Sequence, residues 1–254
     1  MNILYNILAI LFCLAVGYFF GSIPTSIWIG KLFYHQDPRH FGSHNAGGTN
    51  AGRLWGKKVG CLVIAIDMLK AVVPMWLCWA LFTLIPMSNG IALCPSITNV
   101  DSFGLNINYI IPWPVYWITT FGCMFGHCWP LFAQFKGGKG AAVYMGIAIF
   151  SSWMFGIIPS LIYLLVLKIS KHVSLASIIS PVISATMAWI WALLCMFNII
   201  SMDYLSFPMY GANLIPSWVY ALCLSFLSII VIIRHRANIK RLINGTEREI
   251  TWMR

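Results

Sequence analysis

Apolar stretches at roughly residues 3–33, 59–86, 109–135, 141–198 and 215–233 cover most of this chain of 254 residues, and they restrict its fold more than any other feature. A helix needs about 20 apolar residues to cross the hydrocarbon of a bilayer, and each stretch comes close to or exceeds that length. With 60% hydrophobic and only 9% charged residues, the composition lies far from that of soluble domains. The expected fold is all-α: a polytopic membrane protein in which residues 1–254 form a single integral membrane domain. The sequence contains no internal repeat or low-complexity tract.

Charge placement sets the direction of the spans. Lys70 lies inside the second stretch; the other Lys and Arg residues sit between the stretches, near their ends, or, for Lys168 and Lys171, at a break within the fourth. The connections 87–108 and 199–214 carry none. The positive-inside rule then puts 31–58, 136–140 and the tail from 234 in the cytoplasm, with the N-terminus and the two bare connections outside. The fourth stretch begins inside at Lys139 and ends outside near Ile199, so it crosses an odd number of times. Its roughly 60 residues, at about 1.5 Å each, hold three short spans. Ser151, Ser152 and Gly156 mark the first break, leaving spans at 141–155 and 157–169 short enough to need tilting or local thinning. The expected total is seven transmembrane helices, N-terminus outside and C-terminus cytoplasmic. The first charged residue is Lys31, so no cleaved signal peptide is expected. Ile239, Leu242 and Ile243 have the spacing of an amphipathic helix lying on the inner face.

The formal charge of +10 does not point to nucleic acid, because the basic residues form short clusters between apolar runs. The eight cysteines make neither a C-x-x-C pair nor a zinc spacing, so they read as packing residues and no metal or cofactor is expected.

Three polar segments, 37–58, 126–142 and 234–247, fall on the side assigned to the cytoplasm. The first holds Gly42, Ser43, His44, Asn45, Thr49, Asn50 and Arg53. Glycine lets backbone amides turn toward an anion, the hydroxyls and amides add neutral donors, and an arginine clamps phosphate bidentately. An ordinary flexible loop would use the same glycines and asparagines. In the second, Lys136, Gly137, Gly138, Lys139 and Gly140 precede a helix N-terminus, as an anion nest does. A tight turn bearing positive-inside lysines is the alternative. It is not a Walker A loop, since Ala133 replaces the first glycine and Gly140 the Ser/Thr, so nucleotide hydrolysis has no support. In the third, His235, Asn238, Arg241 and Glu247 can reach back under the bundle, or the segment is a basic tail for anionic headgroups.

Asp67 and Lys70, three apart in the second span, read first as a self-neutralised pair and second as a functional one. His127, at a helix end, reads as a hydrogen-bonded structural histidine.

Together, GSIPTS at 21–26, DPRHFGSHNAGGTNAGR at 37–53, DMLK at 67–70, GHCWPLFAQFKGGKGAA at 126–142 and RHRANIKRLINGTE at 234–247 resemble the acyl-phosphate-dependent glycerol-3-phosphate acyltransferases, the PlsY family. The resemblance covers nearly the whole chain. The family's usual GSGNxGATN is GSHNAGGTN here, with His44 for a glycine and Gly48 for an alanine.

The resemblance implies a seven-helix bacterial plasma-membrane enzyme of phospholipid biosynthesis with its active site facing the cytoplasm. Its partners would be glycerol 3-phosphate, a long-chain acyl phosphate and membrane lipid, with no nucleic acid and no obligate protein partner. Transfer would be direct, with no acyl-enzyme, and a substrate phosphate would take the hydroxyl proton. An acyl phosphate is already activated, so the protein mainly holds two phosphates and stabilises an oxyanion.

The expected catalytic residues are Ser43, Arg53, Lys139, His235 and Asn238. Ser43, Arg53 and Lys139 would grip glycerol 3-phosphate, and the 137–140 turn with Asn45 would hold the acyl phosphate. Gly42, Thr49, Asn50, Lys136 and Glu247 complete the expected substrate-binding set, with Glu247 ordering a basic partner. Two rivals fit less well. A transporter using Asp67 and Lys70 would show repeated halves. A thioester-dependent acyltransferase would show His-x4-Asp, and no histidine here has an aspartate five positions on.

Overall fold

Two pairs of glycines spaced four apart, Gly17 with Gly21 and Gly122 with Gly126, organise the start of the bundle. The structure, a computed structural model, describes residues 2–84, 115–197, 199 and 217–250. The described residues form helices and turns, with no strand among them. The first glycine pair lies on α1 (Asn2–Gly21) and the second on α5 (Ile118–Cys128). A Cβ at Gly17 would strike the backbone of Thr119, and one at Gly122 the carbonyl of Leu14. The two backbones therefore touch, as small residues permit between helices in lipid, where packing rather than hydrophobicity drives association.

The first apolar stretch is not one helix. Gly21 ends α1, and α2 (Thr25–Phe33) follows Pro24, which has no N–H to continue the ladder. The break leaves the Ile23 carbonyl facing inward, where it accepts the Lys70 ammonium at 2.8 Å. The segment 41–58 is likewise more than a loop. Residues Gly48–Trp55 form α3, which lies along α4 (Lys57–Leu84) through close contact between Gly52 and Gly60.

The stretch 141–198 contains three helices, as its length requires: α6 (Ala141–Ser151), α7 (Trp153–Ser170) and α8 (Val173–Met196). The first break falls at Ser152 alone; Gly156 sits inside α7, where it lets the chain pack against Ile149. The second falls at Lys171, in left-handed backbone, as expected from its lysines.

After α9 (Ser217–Arg234) the chain bends by 62° into α10 (Arg236–Ile243). Ile239 and Leu242 are half-buried there while Ile243 is exposed, so the amphipathic face is narrower than the spacing implied.

Tyr116, Met124, Tyr144, Ile147 and Leu224 are buried in a core shared by α1 and α4 to α9. Many outward side chains, such as Leu8, Leu161, Leu165 and Ile229, are large, apolar and exposed, which suits a lipid solvent. Among the described residues, three stretches are long and apolar enough to cross a membrane: Ile7–Phe33, Lys57–Leu81 and Val173–Met196. The bare connection 87–108 lies outside the described residues, as does 199–214 apart from Ile199. No disulfide joins the described cysteines, and all of these but Cys61 are buried.

Candidate active site

The first polar segment is tied into shape by one buried side chain. The Asn50 amide accepts the Ser43 N–H at 2.8 Å and donates to the carbonyls of Pro38, Phe41 and Asn45 at 2.8, 3.1 and 3.1 Å. Gly42, at φ +61°, passes so near this amide that any Cβ would strike it. Asn50 therefore shapes the loop from behind, rather than touching a ligand as its residue type suggested. The loop presents Ser43, Asn45, Thr49 and Arg53 to a cavity of about 290 Å³.

The second segment contributes less than expected. The Gly138 amide is spent on the His127 carbonyl at 3.1 Å, and the Lys136 amide on that of Ala133 at 3.1 Å. Lys136, Gly137 and Gly138 do not line the cavity; Lys139, Gly140, Ala141 and Ala142 do. Gly140, in left-handed backbone at φ +84°, caps α6, whose first amides have no helical partner. The anion-facing surface thus narrows to the N-terminus of α6 and the Lys139 ammonium.

The third segment folds back as its charges suggested. Lys139 donates to the Asn238 carbonyl oxygen at 2.6 Å, and the Asn238 amide donates to one Glu247 oxygen at 2.7 Å. Arg241 donates to the other Glu247 oxygen at 2.7 Å. Arg248 donates to the Gly42 carbonyl at 2.8 Å, and Arg53 to the Arg248 carbonyl at 3.3 Å. The Ile250 amide bonds the Lys171 carbonyl at 3.0 Å, and its side chain is buried with Leu167 and Ala176. The tail therefore joins α3, the 136–140 turn and the α7–α8 connection around one cavity.

The electrostatics favour anions. Arg53, Lys139, Arg241 and Arg248 line the cavity against two carboxylates, Asp67 and Glu247. Asp67 is already neutralised by Lys70 at 2.8 Å and accepts the Thr25 hydroxyl at 2.8 Å. The pair read as self-neutralised is so, but its Asp67 also lines the cavity together with His127, whose Nδ1 is 3.8 Å from Asp67.

Burial raises the Glu247 carboxyl, but hydrogen bonds from Asn238 and Arg241 overcome this and hold it below the ordinary carboxylate value. Burial pushes the Lys139 ammonium down to about 8, aided by Arg241, Arg234 and Arg53 and opposed by Glu247. Burial also pushes His235 down to about 4, with Lys139 acting in the same direction. Its Nδ1 donates to the Val231 carbonyl at 2.8 Å, so the ring is neutral near pH 7 and Nε2 keeps its lone pair. Among the described residues no cluster of three His, Cys, Asp or Glu could hold a metal ion.

Residues 11–245 match the sequence model of a family described as Glycerol-3-phosphate acyltransferase. The chain belongs to the glycerol-3-phosphate acyltransferase family. The glycerol-3-phosphate acyltransferase of Listeria welshimeri is 33% identical over 239 residues, spanning 94% of this chain and 95% of that protein. The one from Streptococcus gordonii is 34% identical over 243 residues, spanning 94% and 92%. Among solved structures, PlsY (YgiH), an integral membrane glycerol 3-phosphate acyltransferase, is similar in its glycerol 3-phosphate form with a TM-score of 0.69 and 27% identity, over 96% of each chain. Its lysophosphatidic acid form gives a TM-score of 0.66 and 26% identity over 95% of each. This chain is accordingly an integral membrane acyltransferase.

Several residues of this family member's cavity escaped the sequence reading. Arg248 joins the wall because the tail doubles back, which its place in the sequence does not foretell. Tyr144, Tyr163 and Pro181 line the apolar end from α6, α7 and α8. No local signal marks them, since they sit in uniformly apolar stretches. The Gly-x3-Gly spacings at 17–21 and 122–126 were a legible signal for close helix packing.

Proposed function

We propose that this chain transfers the acyl group of a long-chain acyl phosphate to the 1-hydroxyl of glycerol 3-phosphate. The products are 1-acyl-glycerol 3-phosphate and phosphate, for phospholipid biosynthesis. The observation that carries this reading is the convergence of Arg53, Lys139, Arg241 and Arg248 with Ser43, Asn45 and Thr49 on one cavity. Two phosphoryl groups carry more charge than one cation neutralises, and this surplus of donors suits both. The related crystal structures, one in a glycerol 3-phosphate form and one in a lysophosphatidic acid form, support the same substrate and product here.

In the proposed step the 1-hydroxyl oxygen attacks the acyl carbonyl carbon, the bond from that carbon to the phosphate oxygen breaks, and phosphate leaves. The hydroxyl proton passes to a substrate phosphate oxygen. Neither cavity carboxylate is available to take it, because Asp67 is paired with Lys70 and Glu247 with Asn238 and Arg241. Ser43, Arg53 and Lys139 hold glycerol 3-phosphate. Asn45 and the amides at the start of α6 hold the acyl phosphate and the developing oxyanion. His235 and Asn238 close the site from the tail. The acyl chain leaves toward Tyr144, Met145 and Pro181 between α6 and α8.

The proposed topology counts α1 with α2, α4, α5, α6, α7, α8 and α9 as seven spans, with the N-terminus outside and the site facing the cytoplasm. A protease added to inside-out vesicles should remove a C-terminal tag that right-side-out vesicles protect; the opposite pattern rejects this orientation. The donor is tested with purified protein, glycerol 3-phosphate and either acyl phosphate or acyl-CoA, with product identified by mass spectrometry. Lysophosphatidate is expected from acyl phosphate alone. Equal yield from acyl-CoA refutes the donor, and no product from either refutes the activity.

A further inference from the structure

The turn that carries Lys139 has no side chains of its own to hold it, since Gly137 and Gly138 precede the lysine. It is held from two sides instead. On one, the His127 carbonyl accepts the Gly138 amide, and a Cβ at Gly138 would strike the His127 ring. On the other lies Arg234, the last residue of α9. Its Nε and Nη2 donate to the Gly138 carbonyl at 3.2 and 3.0 Å, and Nη2 reaches the Gly137 carbonyl at 3.4 Å.

The guanidinium is itself fixed. Its carbon lies 5.1 Å from the centroid of the Trp129 ring, within cation–π range. Trp129 in turn stacks on Phe125 at 5.9 Å, and its carbonyl accepts the Tyr18 hydroxyl at 3.0 Å. Arg234 does not line the cavity. It does precede by four residues Asn238, the partner of Lys139. The turn and the tail helix are thus joined twice, by Arg234 to the Gly138 carbonyl and by Lys139 to Asn238.

We propose that Arg234 is a positioning residue for acyl transfer, which by gripping the Gly137 and Gly138 carbonyls from its seat on Trp129 sets the direction in which Lys139 enters the cavity. This rests on the reading of Lys139 as a phosphate ligand given above. A lysine in place of Arg234 keeps the charge but loses the planar fork that reaches two carbonyls at once. Glutamine keeps a donor and loses both the charge and the seat on the ring.

The test is a double-mutant cycle with Arg234→Gln, Arg234→Lys, Lys139→Met and the Arg234→Gln/Lys139→Met pair. The readouts are kcat and KM for glycerol 3-phosphate, per mole of protein eluting as a single folded species. Misplacing a binding group costs on the order of tenfold or more, so Arg234→Gln should lower kcat/KM by at least about tenfold, chiefly through KM. Arg234→Lys should fall between it and wild type. In the Lys139→Met background, Arg234→Gln should cost less than about twofold, because the residue through which it acts is gone.

Equal fold losses in both backgrounds overturn the proposal, as does a wild-type KM in Arg234→Gln or a defect in Arg234→Gln beside full activity in Lys139→Met. Should Arg234→Gln not fold, the same cycle run with Arg234→Lys decides on the same criteria. Wild-type turnover separates the two levels: its absence refutes the proposed function and this inference with it, whereas normal turnover with additive losses refutes this inference alone.

Discussion

Replacing Lys139 by Met keeps the length of an unbranched stem and removes the ammonium, so it isolates what the charge contributes. The residue is half-buried, and its Nζ lies 2.6 Å from the Asn238 oxygen. A hydrogen bond from a charged group is worth roughly 1.5–3 kcal/mol. At ~1.4 kcal/mol per tenfold, losing one bond to a substrate phosphate should cost about 10- to 150-fold in kcat/KM. The upper part of that range is expected, because burial excludes the water that would screen the lost charge.

The pH dependence supplies an internal control. Lys139 falls from its ordinary 10.5 to about 8, so the substrate-free protein carries the ammonium below that pH and loses it above. For the stability of the empty protein the sign is opposite: the buried charge is a penalty below pH 8 that is relieved as pH rises toward 10.5. For binding, KM for glycerol 3-phosphate should be flat below about pH 7, roughly double by pH 8 and rise about fivefold more between pH 8 and 9, by linkage to the lost proton. The assay is initial-rate phosphate release from acyl phosphate at varied glycerol 3-phosphate and pH, corrected for spontaneous hydrolysis of the donor. Met at 139 should have the high KM at every pH and no alkaline limb. A variant with normal kcat/KM, or one that keeps the limb, refutes the assignment of this lysine.

Asn50→Ala removes four hydrogen bonds behind the Ser43 loop, each worth about 1 kcal/mol net, so the fold should lose about 2–4 kcal/mol once partial rehydration is allowed for. A lowered Tm in detergent together with a raised KM is expected; an unchanged Tm would contradict the knot ascribed to this side chain. Gly122→Val drives a side chain into the Leu14 carbonyl across the α1–α5 contact, and overpacking of this kind costs about 1–3 kcal/mol. Its Tm should fall while kcat per folded molecule stays near normal, and a wild-type Tm would show that the two helices do not pack through these glycines.

What could be read from the chain alone was whatever depends on neighbours a few residues away. Apolar stretches and lysine placement give the membrane class, the helices and the breaks near Ser152 and Lys171, because hydrocarbon length and the energy of a buried charge act on local segments. The residue types in the three polar segments marked them as rich in donors and charges, and Ser43, Asn45, Thr49, Arg53, Lys139, His235, Asn238 and Glu247 all line the cavity.

The tertiary structure decided how each polar atom is used. Asn50 and Asn45 belong to the same loop and share a residue type, yet Asn50 is turned inward to bind backbone and Asn45 outward to the cavity. Gly138 sits within a glycine-rich run that favours anions, yet its amide is already taken by His127 and its carbonyl by Arg234. A hydrogen-bonding group has few partners, and which ones it meets depends on segments such as 127 and 234 that are distant in the chain. Sequence therefore supplies the inventory of donors and charges, while packing determines which remain free for a substrate.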